Sequence, residues 1–150
     1  MSIVNFEVKK FHEIDNKTLH NIFLIRSEVF IIEQNCIYQD IDGKDIKSIH
    51  IIGKKKEQIV AYSRIMTLSN EFCSIGRVLV KKGSRKKGLG TKLMKKSIAE
   101  ATKEFNKKKI KISAQKYLKN FYTKLGFKYT GKSYLEDGIP HIEMTSNWKF

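Results

Sequence analysis

The spacing of hydrophobic residues changes repeatedly along this chain. Alternation of apolar and polar residues is typical of a strand, and recurrence every three or four residues is typical of an amphipathic helix. These patterns predict strands at 3–9, 48–53, 58–68, 72–80, 110–114, 127–130 and 142–148, and helices from a cap at Asp15 or Asn16 to residue 30, at 89–105 and at 118–125. The resulting order, β-α-β-β-β-α-β-α-β-β, indicates an α/β chain.

Two of these elements have a predicted buried face. In the first strand, Val4, Phe6 and Val8 share one side. In the helix at 89–105, the positions expected to face the core are Leu89, Leu93, Ile98, Ala101 and Phe105, and the solvent side carries Lys92, Lys95, Lys96 and Lys103.

A basic, glycine-rich turn connects the strand at 72–80 to the helix at 89–105. The strand ends in Val78-Leu79-Val80, and the turn continues as Lys81-Lys82-Gly83-Ser84-Arg85-Lys86-Lys87-Gly88-Leu89-Gly90-Thr91. Glycines let the backbone approach a ligand closely, and the following helix directs its unsatisfied N–H groups and positive dipole end toward an anion. This layout predicts a cradle for a phosphorylated cofactor.

Spacing excludes two common phosphate cradles. A P-loop requires Lys and then Ser or Thr after its second glycine, but Leu89 and Gly90 follow Gly88. A dinucleotide fingerprint requires a third glycine after Gly88-Leu89-Gly90, and none stands at that spacing.

Composition predicts one domain in a reducing compartment. A length of 150 residues with 41% hydrophobic content suits a single packed domain over residues 1–150. The first residues lack the features of a signal peptide, and no apolar run approaches the ~20 residues of a membrane span, so we expect a cytoplasmic protein without membrane attachment. Cys36 and Cys73 have no partner at disulfide or metal spacing and are expected to be buried apolar residues.

No metal site is predicted. Asp40, Asp42 and Asp45 do not fit a calcium loop, because Asp45 stands where that loop requires glycine. We interpret the three aspartates as a capped turn, with attraction of a cationic amine as the alternative.

The net charge of +15 raises the hypothesis of nucleic-acid binding. Arginine occurs only at 26, 64, 77 and 85, and the lysines are spread from Lys9 to Lys149. Specific readers of nucleic acids favour arginine forks and stacked aromatic side chains. A diffuse lysine excess is therefore interpreted as a solvated surface that also attracts an anionic cofactor.

The turn Arg85-Lys86-Lys87-Gly88-Leu89-Gly90 resembles the Arg/Gln-x-x-Gly-x-Gly/Ala pyrophosphate loop of the GNAT superfamily of acyl-coenzyme A N-acyltransferases. Asn120-Phe121-Tyr122, followed by Leu125-Gly126-Phe127, is similar to the second cofactor segment of that family. The segments 26–45 and 136–142 resemble the ElaA-like subgroup. The predicted order of strands and helices also matches the family.

The resemblance implies a fold and a cofactor. The fold is a mixed, mostly antiparallel central sheet flanked by helices, with a splay between the fourth and fifth strands. The implied cofactor is acetyl-coenzyme A. Its pantetheine would bind to the backbone of Val78, Leu79 and Val80, and Asn120 would orient it. Its pyrophosphate would bind to the turn formed by Arg85, Lys86, Lys87, Gly88, Leu89, Gly90 and Thr91. Tyr122 is the candidate general acid, because a phenol near the sulfur can protonate the departing thiolate.

The reaction that this resemblance implies is direct attack by a primary amine in a ternary complex. A protonated amine is not a nucleophile, so a base is needed, and the candidates are Glu33, His50 and His141, with Glu33 ranked first. The acceptor is left open between a small molecule and a peptide, no specific nucleic acid is expected, and a homodimer stays open. The alternative function is a binding protein of the same fold whose basic surface contacts nucleic acid.

Overall fold

The described part of the chain forms a seven-stranded sheet in the order β1-β2-β3-β4-β5-β7-β6. The computed structural model describes residues 3–106 and 108–146. The strands are β1 (Val4–Lys10), β2 (Ile49–Lys55), β3 (Gln58–Thr67), β4 (Phe72–Val80), β5 (Lys109–Gln115), β6 (Phe127–Glu136) and β7 (Ile139–Ser146). The α-helices are α1 (Asn16–Arg26), α2 (Leu89–Glu104) and α3 (Lys119–Lys124). This element order confirms the predicted α/β class.

The sheet opens in the middle. All neighbouring strands are antiparallel except β4 and β5, which run parallel and pair only where Phe72–Ser74 faces Lys109–Lys111. Beyond Ser74 the two strands have no register partners in each other, so they diverge toward the end of β4. The predicted splay between the fourth and fifth strands is therefore confirmed, and we refer to this opening as the fork.

Helices cover both faces of the sheet. Neighbouring residues Ile51 and Ile52 of β2 belong to two separate core clusters, one shared with α2 and α3 and the other with α1. Burial on both faces explains why β2 and β3 read as nearly continuous apolar runs rather than as an alternating pattern.

Most predicted core positions hold. Leu89, Leu93 and Ala101 are buried, and Ile98 and Phe105 pack against the same core while half-exposed. Val8 is exposed, contrary to the predicted face of the first strand, because β1 is an edge strand with a neighbour on one side only.

The last hairpin is longer than predicted. β6 extends to Glu136 instead of Thr130, with a register shift at a bulge between Tyr129 and Ser133. Asp137 and Gly138, with φ values of 51° and 78°, form a two-residue turn of the kind that Asp-Gly favours. Pro140, which precedes the predicted strand at 142–148, lies within β7, and the predicted end of that strand at 147–148 falls outside the described residues.

The first helix changes its winding before it ends. The α-helical part stops at Arg26, and Ser27–Glu33 continue as π-helical turns, a geometry common at functional sites. The hydroxyl of Ser27 donates to the carbonyl of Phe23 at 3.0 Å, which competes with the regular helical hydrogen bonds. The segment delivers Glu33 to the mouth of the fork.

Candidate active site

The fork opens into a cleft of about 980 Å³. The residues predicted to bind or act that line this cleft are Val78, Leu79, Val80, Arg85, Lys86, Gly90, Tyr122, Glu33 and His141. Those that do not line it are Lys87, Gly88, Leu89, Thr91, Asn120 and His50. One cavity thus brings together the strand edge, part of the basic turn, the candidate acid and two of the three candidate bases.

β4 is irregular where it forms the wall of the cleft. Tyr62 pairs with Leu79 but Arg64 pairs with Gly76, so Arg77 and Val78 both stand opposite Ser63 without register partners in β3. Arg77 has a positive φ of 51°, which non-glycine residues rarely adopt. A bulge bends a strand and turns its backbone out of the regular ladder. Both bulge residues, Arg77 and Val78, line the cleft.

The basic turn has the geometry of a backbone cradle. Gly83, Lys86 and Gly88 have φ values of 91°, 65° and 75°, in the left-handed region that glycine enters at little cost. Gly88 is the N-cap of α2 and offers no side-chain cap, so the first N–H groups of the helix are left for another acceptor. Leu89 is buried and anchors the turn to the core.

Arg85 ties this turn to the end of the first helix. Its Nη1 and Nη2 atoms donate to the two carboxylate oxygens of Glu33 at 2.6 and 2.9 Å, and its Nε atom donates to the carbonyl of Val80 at 2.9 Å. Both carboxylate oxygens of Glu33, the first-ranked candidate base, are therefore engaged by a guanidinium. This pairing favours a positioning role for Glu33.

Replacing Glu33 by Gln is expected to raise the KM for acetyl-coenzyme A about two- to fivefold and to leave kcat within about twofold, because a half-exposed ion pair contributes up to about 1 kcal/mol. Steady-state kinetics measure both constants. Glu28→Gln, on the same helical segment and exposed, serves as the control. A fall in kcat of more than a hundredfold at unchanged KM would restore Glu33 as the base.

Tyr122 lies on α3 in an aromatic environment. Its ring meets Phe121 and Phe127 edge-on, with centroid distances of 5.0 and 6.0 Å. Burial raises the pKa of its phenol to about 12. The hydroxyl is therefore protonated at neutral pH, as an acid requires, and Tyr122 is one of the residues that line the cleft.

The polar residues near Tyr122 are arranged differently from the prediction. Asn120 is exposed and does not line the cleft. Gln115, at the end of β5, and Tyr117 do line it, although neither was predicted. The position of Gln115 in the sequence could have indicated its place in the cleft, because it is a polar residue at the end of the strand that borders the fork.

His50 is a structural residue of β2. It is fully buried, its Nδ1 lies 2.7 Å from the Tyr62 hydroxyl, and its Nε2 lies 2.9 Å from the carbonyl of Asp45. Burial lowers its pKa, which favours the neutral ring. With both nitrogens occupied and no access to the cleft, His50 is not placed to meet an acceptor.

His141 is at the cleft. It sits near the start of β7, where Nδ1 lies 2.7 Å from the carbonyl of Ile139 and Nε2 lies 3.3 Å from a carboxylate oxygen of Glu136. Of the three candidate bases, His141 combines a place on the cleft with a carboxylate partner.

A cluster of ion pairs forms another part of the wall. Asp45 Oδ1 accepts from Arg26 at 2.7 Å and from Arg64 at 3.0 Å, while Arg64 also forms two hydrogen bonds with Asp42, at 2.9 and 2.6 Å. Asp40 accepts from Arg26 at 2.9 Å and from Arg77 at 2.8 Å. The members are Arg26, Arg64, Arg77, Asp40, Asp42 and Asp45.

The cluster corrects the interpretation of the aspartates. Asp42 does accept from the backbone N–H of Lys44 at 3.0 Å, as in a capped turn. However, all three carboxylates are matched by three guanidinium groups, so their charge is neutralised and they do not form an attractive patch for a cationic amine. Their main effect is to hold the segment at 40–45 against β3 and β4.

Asp45→Ala is expected to lower the free energy of unfolding by about 3–5 kcal/mol, because two buried guanidinium groups lose a shared partner. Urea unfolding measures the change. Glu100→Ala, which removes a surface pair with Lys96, is the control and should cost at most about 1 kcal/mol. Equal losses in the two variants would contradict the role assigned to the cluster.

Acid should weaken the same cluster. Hydrogen bonds from Arg64 hold the pKa of Asp42 well below its usual range. A lowered folded-state pKa contributes stability that is present above the unfolded pKa of ~3.9 and is lost as pH falls.

All four arginines of the chain now have carboxylate partners: Arg26, Arg64 and Arg77 in the cluster, and Arg85 with Glu33. The excess positive charge is therefore carried by lysines. This leaves the nucleic-acid hypothesis without an unpaired arginine to form a fork with a base.

Over residues 3–106 and 108–146, no group of three or more His, Cys, Asp or Glu side chains is placed to hold a metal ion. Cys36 and Cys73 are free and buried, as predicted. Within the same ranges, no helix has the length and apolar character needed to cross a membrane.

The fold, the forked sheet and the basic turn before α2 define an acyltransferase class, and the chain belongs to the GNAT acetyltransferase family, whose domain model matches residues 13–147. Within that family it is ElaA-like. The Escherichia coli protein ElaA is 40% identical over 136 residues, which are 88% of this chain and 89% of ElaA. The crystal structure of ElaA superposes with a TM-score of 0.92 and 36% identity, covering 97% of this chain and 100% of ElaA.

Two further crystal structures are informative. An acyl-CoA N-acyltransferase from Pseudomonas aeruginosa has a TM-score of 0.89 and 32% identity, covering 95% of this chain and 99% of its own. A GNAT family acetyltransferase from Elizabethkingia anophelis, with acetyl-CoA bound, has a TM-score of 0.65 and 17% identity, covering 95% of this chain and 97% of its own. The second is similar in fold alone.

Proposed function

We propose that the protein transfers the acetyl group of acetyl-coenzyme A to the nitrogen of a primary amine. The observation that carries this proposal is the fork between β4 and β5, which opens into a cleft lined by both the basic turn and Tyr122. Family membership supports an acyltransferase, and the acetyl-CoA bound by the acetyltransferase of similar fold from Elizabethkingia anophelis supports the choice of cofactor.

The cofactor would bind mainly to backbone. The pantetheine amides would hydrogen-bond to the edge of β4 at Val78, Leu79 and Val80, as an added strand does. The pyrophosphate would lie on the backbone N–H groups between Arg85 and Gly90, at the start of α2. Phosphate binding by backbone N–H groups would let Lys87, Gly88 and Leu89 contribute, although these residues do not line the cleft.

The reaction would proceed in one ternary complex. The amine lone pair attacks the thioester carbonyl carbon, the carbon–sulfur bond breaks, and no covalent enzyme intermediate is required. Arg77 and Val78, the residues of the bulge, line the cleft. A backbone N–H group there would stabilise negative charge on the carbonyl oxygen. Tyr122 would donate its proton to the departing thiolate.

The cleft would repel a cationic acceptor, either a small-molecule amine or a peptide amine, less than the rest of the chain does. The chain as a whole has 30 basic and 15 acidic side chains. In the lining the two signs are nearly balanced, with carboxylates Glu33, Asp42, Glu136, Asp137 and Glu143 against cations Lys44, Arg64, Arg77, Arg85, Lys86 and Lys111. An alkylammonium ion therefore meets less repulsion in the cleft than at the lysine-rich surface.

An acceptor screen tests the proposal. The protein is incubated with acetyl-coenzyme A and a panel of polyamines, amino acids and short peptides, and free thiol and acetylated product are measured. We expect thiol release that depends on an amine and matches the product formed. Thiol release at the same rate without any amine, or no release with any member, would contradict the proposal.

A further inference from the structure

A connected group of side chains on the β5-β7-β6 side of the cleft has the arrangement of a proton acceptor. The two-residue turn at Asp137 and Gly138 places Tyr134 opposite His141 and Glu136 opposite Ile139. Tyr134 and Glu136, two residues apart on one strand, lie on the same face of the sheet as His141. Ser113 of β5 joins them from the adjacent strand, and all four side chains line the cleft.

The hydrogen bonds fix the proton on His141. Nδ1 lies 2.7 Å from the carbonyl of Ile139, which can only accept, so Nδ1 carries the hydrogen. In the neutral ring Nε2 then has a lone pair, and it lies 3.3 Å from Oε2 of Glu136. When the Glu136 carboxylate is ionised, neither His141 Nε2 nor Glu136 Oε2 carries a hydrogen. One additional proton would therefore form a hydrogen bond between these two atoms.

The carboxylate of Glu136 is held in place from its other side. Ser113 donates to Oε1 of Glu136 at 3.3 Å, and the Tyr134 hydroxyl donates to Ser113 at 2.6 Å. The Tyr134 ring also stacks on the His141 ring, with an interplanar angle of 15°. The Glu136 side chain is 49% exposed whereas that of His141 is 8% exposed, so an incoming amine meets the carboxylate first.

We propose that Glu136 and His141 form the proton-accepting dyad of the acetyl transfer, with Ser113 and Tyr134 as positioning residues. This inference rests on the proposed function. The alkylammonium group binds Glu136 and loses one proton through it to His141 Nε2, which leaves a free amine and an imidazolium beside a carboxylate. The amine then attacks the thioester carbon, the sulfur leaves with the C–S electron pair and takes a proton from Tyr122, and the proton lost by the new amide nitrogen restores Tyr122 through solvent. Release of the imidazolium proton to solvent resets the dyad.

The other candidates are less suited to this task. Glu33 holds Arg85 with both oxygens, and His50 is buried away from the cleft. The remaining ionisable groups around the dyad are Asp137 in the turn, Glu143 on β7, and Lys111 and Lys132, each 3.9 Å from Glu143. Those two lysines offset the charge of Glu143, whereas the ion-pair partner of Glu136 is His141.

The test is a set of pH–rate profiles of kcat/KM for an accepted amine. Glu136→Gln and His141→Gln are expected to lower the value about 10- to 100-fold at pH 7, to change the acid limb of the profile, and to regain much of the loss at pH values where the amine is already deprotonated. Tyr134→Phe should lower kcat/KM by a smaller factor, with the same recovery at high pH. The KM for acetyl-coenzyme A should stay within about twofold, and His12→Gln, an exposed histidine outside the cleft, should match the unmodified protein.

Two outcomes would overturn the inference: profiles of Glu136→Gln and His141→Gln that superimpose on the unmodified profile, or losses that are independent of pH. Because Glu136 is exposed, Glu136→Gln is expected to fold normally, so it still tests the dyad if His141→Gln lowers the stability of the protein. Failure of the unmodified protein to acetylate any amine would instead refute the proposed function, so the two failures are distinguishable.

Discussion

Replacing Tyr122 by Phe is expected to lower kcat by about 10²–10³-fold, because the departing thiolate loses its proton donor while the aromatic packing remains. Both rings of the surrounding pair, Phe121 and Phe127, can keep their edge-on contacts with a phenylalanine. The dissociation constant for acetyl-coenzyme A should change less than about threefold. Steady-state kinetics and titration calorimetry measure the two quantities.

Tyr129→Phe is the matched control, since Tyr129 is a more exposed tyrosine of β6 that does not line the cleft. It should leave kcat unchanged. The pKa of Tyr122 is raised to about 12, so its hydroxyl stays protonated from pH 6 to pH 9. Tyr122→Phe should therefore lower kcat by a similar factor across that range. An unchanged kcat across that range would remove the acid assignment.

Gly88→Asp is expected to weaken acetyl-coenzyme A binding at least a hundredfold, or about 2.7 kcal/mol. Two effects combine: a side chain is forced into the positive φ of 75° that Gly88 adopts, and a carboxylate is placed beside the proposed pyrophosphate site at the start of α2. Titration calorimetry measures the affinity directly.

Gly131→Asp separates the two effects. Gly131 also has a positive φ, of 96°, and no atom lies within 4 Å of its ideal Cβ, but it belongs to the outer strand β6. This variant should carry similar backbone strain and bind acetyl-coenzyme A normally. Equal affinities for the Gly88 and Gly131 variants would contradict the cradle.

Local patterns predicted the central part of the fold well. The turn that ends at Gly88 was recognisable because glycines with positive φ and a helix start leave a signature within a few residues. Tyr122 was singled out differently, through the resemblance of the short segment 120–127 to the second cofactor segment of the family. The fork itself followed from the family resemblance.

Contacts between distant residues were beyond the reach of such patterns. Arg77 pairs with Asp40 across 37 positions, and Arg85 pairs with Glu33 across 52, so neither partner could be assigned before the sheet placed them together. The ranking of Glu33 as the first candidate base was therefore made without the ion pair that engages both of its carboxylate oxygens.

The last hairpin shows a different difficulty. Asp137-Gly138 is a strong two-residue turn signal, but Gly131 and Lys132 weaken the strand pattern before it, and Pro140 suggests a turn rather than a strand. Pro140 is tolerated in β7, where it stands opposite Leu135. The longer hairpin matters because it places Glu136 and His141 in the cleft.

The central claim is that the fork between β4 and β5 binds acetyl-coenzyme A, and a crystal structure with coenzyme A tests it most directly. The predicted result has the pyrophosphate on the backbone N–H groups between Arg85 and Gly90, the pantetheine along Val78–Val80, and the sulfur within hydrogen-bonding distance of the Tyr122 hydroxyl. Coenzyme A bound at another surface, or a sulfur far from Tyr122, would contradict the account.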